Sequence, residues 1–232
     1  FKHGSTIQIT TGGSGTDWVQ DLIGCTWDPA TEYPSCTIDL SADRTVTASF
    51  LTPQTLSVHV ASVESGYGAM IIATEFAGVR TNLPYCPAVD NTIETCSVEV
   101  HARETVFLTG SEGASPSVIE SLSGCVVAPI VDPDRSCVPF TMTGPVAVTL
   151  TLRGPQNLNV SLSGDGSGTV AWAGGPLPAC QSGQGPCVYP ARIGTPQGLS
   201  ATPALDSLFQ AWTGACAGQG AVCTVTLTDD VS

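Results

Sequence analysis

Cysteine is the side chain here with the most chemistry to offer: the chain holds ten, against three histidines. The cysteines fall into five pairs, Cys25/Cys36, Cys86/Cys96, Cys125/Cys137, Cys180/Cys187 and Cys216/Cys223. Structural zinc sites draw thiolates from pairs about two to four residues apart, often with histidine. The intervening stretches here are ten, nine, eleven, six and six residues, and His3, His59 and His101 follow no ligand spacing. There is no C-x-x-C-H for haem attachment. Disulfide formation is the chemistry that fits.

Other chemistry finds less support. A serine hydrolase needs a histidine base beside its nucleophile; no G-x-S-x-G occurs, and Gly164-Asp165-Gly166-Ser167-Gly168 reads as a hairpin turn. His59 and His101 continue the alternation of Leu56/Val58/Val60 and Val98/Val100, which predicts solvent-facing strand positions. A carboxylate pair for glycoside hydrolysis meets through space and leaves no local signature, but the acids sit in turn-like contexts such as Asp132-Pro133-Asp134 and Asp229-Asp230. No D-x-D-x-D-G loop for calcium is present. The expectation is no catalytic residue, no metal ligand and no cofactor. Among the tryptophans, Trp27 and Trp172 stand near turns and are the candidates for exposed contact with a glycan or a host surface protein.

The elements that must carry these residues recur along the chain. From Cys96 to Cys125 is 29 residues, and from Cys187 to Cys216 is again 29. Pro53-Gln54-Thr55-Leu56-Ser57-Val58 returns as Pro155-Gln156-Asn157-Leu158-Asn159-Val160, 102 residues later. An apolar-x-x-apolar-x-Gly pattern precedes three of the pairs: Val19, Leu22, Gly24; Ile119, Leu122, Gly124; Phe209, Trp212, Gly214. Its apolar positions are expected to be repeat core, Trp212 included. Alternating stretches such as Thr45–Phe50 and Val146–Leu152 follow. Self-similarity of this kind marks tandem modules. The register gives residues 1–51 as the second half of a first repeat, 52–152 as a full second repeat, and 153–232 as a third that lacks its last strand. Such a chain reads as a segment of a longer array.

Period-2 alternation in β-branched and threonine-rich runs predicts strand almost throughout, with turns at sites such as Gly174-Gly175-Pro176. Only Ser117–Ser123 and Ala204–Trp212 have the pattern for short helical turns, and both suit strand as well. The expected fold class is all-β, a row of small disulfide-stapled domains. Parity supplies a bridging scheme: the first half-repeat holds only Cys25 and Cys36, so a bridge within it joins those two. Repeat equivalence then predicts Cys125–Cys137 and Cys216–Cys223, leaving Cys86–Cys96 and Cys180–Cys187. Sequence alone does not formally exclude other connectivities.

Composition narrows the partners. With 20 acidic against 7 basic residues the net charge is −13, and the cations are spread singly. Nucleic acid binding, which needs clustered Lys and Arg, is excluded. The longest apolar runs, such as Ala69–Ala73, fall far short of the roughly 20 residues of a membrane span, so no membrane insertion by this segment is expected. At 42% apolar residues the chain can bury a core. Ten cysteines in an acidic, lysine-poor chain predict an oxidising compartment, and therefore a secreted or cell-surface protein. The chain starts at Phe1 without a charged leader, which places an export signal elsewhere.

The third repeat carries Leu158-Asn159-Val160, Gly168-Thr169-Val170, Cys180, Cys187, Leu199-Ser200-Ala201-Thr202-Pro203, then F-x-x-W-x-G-x-C from Phe209 to Cys216 and C-T-V-T from Cys223. This set resembles the divergent InlB B-repeat family of bacterial surface proteins. The first two repeats share its cysteine placement and final strands, but have Val19/Leu22 and Ile119/Leu122 where the aromatic pair stands. Residues Gly66–Val79 have no evident counterpart. The resemblance implies small β-rich modules of β-grasp-like α+β type, in tandem on secreted or surface-anchored proteins, with no catalytic residues to carry over. The function expected is a non-catalytic structural segment of a stalk, adhesin shaft or filament. Its partners would be neighbouring repeats or copies of itself, associating end to end. The rival expectations are an adhesive module for glycan or protein, and an accessory part of a secreted enzyme.

Overall fold

The computed structural model describes residues 2–11, 18–27, 35–101, 103–113, 116–129, 134–173 and 177–228. The expected turns at Gly174-Gly175-Pro176, Asp132-Pro133 and Asp229-Asp230 lie outside these residues. What is described is strand, turn and a single 3-10 turn at Gly214–Cys216; no α-helix occurs among the described residues. The fold is all-β. The α+β, β-grasp-like alternative needs a helix packed on a sheet, and the described residues supply strands and turns there instead.

Three hydrophobic clusters organise the chain into three units. The first unit contains β1 (Thr6–Thr10), β2 (Trp18–Ile23), β3 (Thr26–Trp27), β4 (Ser35–Asp39) and β5 (Thr47–Leu51). The second contains β6 (Gln54–Val63), β7 (Gly68–Phe76), β8 (Val79–Asn82), β9 (Cys86–Pro87), β10 (Ile93–Val100), β11 (Thr105–Glu112), β12 (Val118–Ser123), β13 (Arg135–Ser136), β14 (Phe140–Thr141) and β15 (Val146–Arg153). The third contains β16 (Gln156–Val160), β17 (Gly168–Trp172), β18 (Cys180–Gln181), β19 (Cys187–Ala191), β20 (Pro196–Pro203) and β21 (Val222–Thr226).

The second unit shows the plan most fully. One sheet has the order β10-β6-β15-β12; the other runs β13-β11-β7-β8, with β14 also on β11 and β9 also on β7. Strand periodicity decides which side chains meet: Leu56, Val58 and Val60 of β6 point inward while Ser57 and His59 point away. Val148, Leu150 and Leu152 of β15 do the same, and the two strands run parallel, Val58 opposite Val148 and Val60 opposite Leu150. These residues share one cluster with Met70 and Ile72 of β7 and Val106 and Leu108 of β11, so the two sheets pack face to face over a common core. The chain changes sheet at nearly every long connection.

The outer units show portions of this plan. The third has a pair, β16-β19, and a four-stranded sheet, β18-β17-β20-β21. The first has a pair, β2-β5, and a three-stranded sheet, β1-β4-β3. Register ties them together. Ile9 stands opposite Cys36 and Leu199 opposite Cys223, while the Cys137 amide donates to the Leu108 carbonyl. Gly68 stands opposite Glu112 as Gly168 stands opposite Pro203, so β17 is the counterpart that β7 lacks at the level of sequence pattern. The long sheet of the second unit is therefore the third unit's pair and the first unit's pair joined along one seam, the parallel contact of β6 with β15.

The disulfides join Cys25–Cys36, Cys86–Cys96, Cys125–Cys137, Cys180–Cys187 and Cys216–Cys223, and no cysteine is free. Two of the five tie one sheet of their unit to the other. Cys86 lies on β9 and Cys96 on β10, Cys180 on β18 and Cys187 on β19, in facing sheets. Five bridges without a free thiol are the signature of a chain that folds in an oxidising compartment.

Candidate functional site

The tandem apolar slot behaves differently in the three units. Val19 and Leu22 are buried on β2, and Ile119 and Leu122 on β12. Ser117–Ser123 is thus strand from Val118 onward. Phe209 and Trp212 are only half-buried and lie outside any strand, although Trp212 packs against the third core and donates its indole N–H to the Gly220 carbonyl at 2.8 Å. Their rings are tilted against each other, centroids 5.4 Å apart. The reason lies in pairing: β2 is held by β5 and β12 by β15, whereas Phe209–Trp212 has no strand beside it among the described residues. Two apolar side chains just before it, Leu205 and Leu208, are 92% and 93% exposed.

Trp27 and Trp172, expected as exposed contacts, are half-buried and engaged within the fold. Trp172 stacks on Tyr189 at 5.3 Å and donates to the Gln197 side chain at 3.2 Å. The Trp27 ring lies 5.2 Å from the Arg103 guanidinium, a cation–π contact, and its N–H points to Asp21 at 3.4 Å. His59 sits on the outer face of β6 against the Thr95 hydroxyl at 3.0 Å. Among the described residues no group of three or more His, Cys, Asp or Glu could hold a metal ion. No helix among them is long and apolar enough to cross a membrane.

The contacts that sequence reasoning did not find are those between units. Arg103 lies in the turn from β10 to β11, in the left-handed region at φ 74°. From there its guanidinium reaches back to donate to the Val19 carbonyl on β2 at 2.8 Å, while also facing the Trp27 ring and, at 5.6 Å, the Phe76 ring. Arg192 occupies the corresponding turn from β19 to β20 and does the same to the second unit. It donates to the Ser117 carbonyl at 2.7 Å and forks onto both oxygens of Glu112, one of them at 2.9 Å. The Glu112 side chain is 8% exposed, and its Oε1 also accepts the Ile119 amide at 2.9 Å. A planar guanidinium matched to a nearly buried carboxylate fixes direction as well as distance.

The linkers add to this. Only Thr52-Pro53 separates β5 from β6, and only Gly154-Pro155 separates β15 from β16. At the second linker the Gly154 amide donates to the Val63 carbonyl at 2.9 Å, and a Cβ at Gly154 would stand 1.8 Å from the Glu64 carbonyl oxygen. Glu64 itself pairs with Arg153 at 3.3 Å and accepts from the Gln156 amide. The third unit is thus pinned to the β6–β7 turn of the second by backbone and side chain together. Comparison with family models, with curated proteins and with solved structures finds no match to this chain.

Proposed function

We propose that this chain is a non-catalytic structural segment of an extracellular repeat array, a stalk, adhesin shaft or filament in which each unit sets the orientation of the next. The observation that carries this reading is the recurrence of one junction device: the same inter-strand turn in the second and third units throws an arginine onto the unit before it, Arg103 onto Val19 and Arg192 onto Ser117 and Glu112. Freely jointed domains are joined by longer, polar linkers with few crossing contacts. Two-residue linkers ending in proline, closed by an arginine clamp, favour a stiff rod. Sheet-to-sheet disulfides suit a load-bearing element outside the cell. The bacterial surface setting rests on the resemblance of the third repeat.

Small-angle scattering on the intact chain tests the reading. The expected result is a single elongated shape with a fixed unit spacing, and a broader distribution of distances once Arg103→Ala and Arg192→Ala are combined. A wild-type chain whose units already sample independent orientations would overturn it.

A further inference from the structure

We propose that the outer face of the second unit's β13-β11-β7-β8 sheet is a platform for an acidic saccharide. The Arg80 guanidinium takes a carboxylate of the ligand, and the exposed Tyr85 and Ile71 take the face of a sugar ring. The platform stands apart from the shaft reading, because it needs only the second unit's own surface.

The strand plan does not require apolar side chains on this face. Ile9, Leu108 and Leu199 hold one position in the three units, each level with a cysteine. One residue earlier, on the outer side, the first unit has Gln8 opposite Thr37 and the third has Gly198 opposite Thr224. The second unit has Phe107 there, with exposed Val138 following the cysteine of the next strand. Ile71, 45% exposed, and Tyr85, 64% exposed, likewise stand where the third unit has Ala171 and Ala179. Contiguous apolar side chains in water, at positions that related sheets fill with small or polar ones, mark a contact surface.

The second unit is also longer here. Twelve residues, 74–85, lie between Ala73 and Cys86, against six, 174–179, between Ala173 and Cys180. The longer stretch contains β8, which sets Arg80 opposite Glu75 and Asn82 opposite Ala73 on β7. From β8 the Arg80 side chain crosses β7 and lays its guanidinium over the Phe107 ring of β11, 4.1 Å from the centroid. Ala73, opposite both Phe107 and Asn82, is buried beneath this crossing although alternation turns it outward with Ile71. A guanidinium held on a ring is oriented before any ligand arrives. Arg103, Arg135, Arg153 and Arg192 each reach a carbonyl or carboxylate. Arg80 has no hydrogen-bond or ion-pair partner among the described residues, its neighbour Glu75 included.

A planar fork with free donors matches a carboxylate. Two residues along β7, about 7 Å away, Tyr85 and Ile71 offer flat apolar surface to the C–H face of a ring. Asn82 and the hydroxyls of Thr109 and Ser136 lie on the same face. A ring bearing both hydroxyls and a carboxylate satisfies all of these at once. An extended peptide does not, since the backbone groups of this sheet are already paired with one another. A second folded chain would need roughly 800 Å² from each partner, more than this short strip supplies.

NMR titration of the intact, disulfide-bonded chain tests the platform with oligogalacturonate, a hyaluronan fragment and sialyllactose. At least one should shift the Arg80 guanidinium and Tyr85 ring signals with a Kd of about 1 mM or tighter. The equivalent levels of β17 and β20 in the third unit should stay unmoved. Methyl esterification of that saccharide keeps the ring and removes the charge, and should weaken binding about tenfold. Arg80→Lys, which keeps the charge without the fork, and Tyr85→Ala should each weaken it by about as much. Glu75→Gln should tighten it about twofold, by removing a carboxylate beside the fork. All three side chains lie outside the core, so the variants leave the sandwich intact. No shift with any of the saccharides at about 10 mM, or unchanged binding by Arg80→Lys or by the ester, would overturn the platform. Binding of tetraglutamate as tight as that of the saccharide would overturn the sugar in favour of an acidic peptide.

Discussion

The side chains that matter most here are an arginine and a glutamate 80 residues apart in sequence. Glu112 is nearly buried and satisfied from three directions, by both arms of Arg192 and by the Ile119 amide. Removing the arginine leaves a carboxylate in a poorly hydrated place without its cation, so Arg192→Ala should destabilise the second and third units by about 2 kcal/mol. Arg192→Lys should recover little, since a lysine ammonium cannot present two parallel donors. Glu112→Gln should cost less than Arg192→Ala, and the double variant should show non-additivity of about 1 kcal/mol in a denaturation cycle. Additive effects would remove the fork as the contact that matters. Neither residue announced itself in the sequence, because seven scattered basic residues look alike until the fold brings one of them to a buried acid. The cysteines were the opposite case: loops of 7 to 12 residues make each bridge a local event, so spacing, parity and repeat equivalence together pointed to the pairs that form.

Among the strands, what was legible was whatever depends on a short stretch of chain. The alternation at Leu56–Val60 and Val146–Leu152 gave both the strands and their inward faces, and the apolar-x-x-apolar-x-Gly pattern gave Val19, Leu22, Ile119 and Leu122 as core. Phe209 and Trp212 carry the same pattern without the same burial, because a strand needs a partner as well as a pattern, and partners are set by long-range pairing. The glycine that ends the pattern turns this into a measurable series. Gly24, Gly124 and Gly214 all have positive φ, which costs a residue with a side chain about 1 kcal/mol. At Gly124 a methyl group also collides with the Ala147 carbonyl, so Gly124→Ala should cost about 3 kcal/mol or more in chemical denaturation. Gly24→Ala should behave alike against Thr45, whereas Gly214→Ala should show the conformational cost alone. Equal losses at all three positions would mean that the close approach of the following strand is not what these glycines serve.

Across the whole molecule, stability is distributed unevenly and coupled through the junctions. The second unit has both faces of its sandwich and a continuous core from Leu56 to Leu152. Among its described residues the first has four buried apolar ones, Val19, Leu22, Cys36 and Ile38, and its Phe50 is 52% exposed where the corresponding Leu152 of the second unit is fully buried. In a row of units, stability is approximately the sum of what each holds alone and what it gains from its neighbour. The first unit should therefore open first, with amide exchange fastest in β1–β5 and slowest in β6, β7 and β15. The third unit gains from the second through Arg192, Gly154 and the Glu64 contacts, so the two should melt together. Lengthening the Gly154-Pro155 linker with a short glycine-serine insertion separates those contacts without touching either core. Calorimetry should then resolve the shared transition into two, the third unit melting earlier and the second nearly unmoved. A single unshifted transition would show that the units are merely adjacent, since a junction that carries orientation along an array must also carry free energy across it.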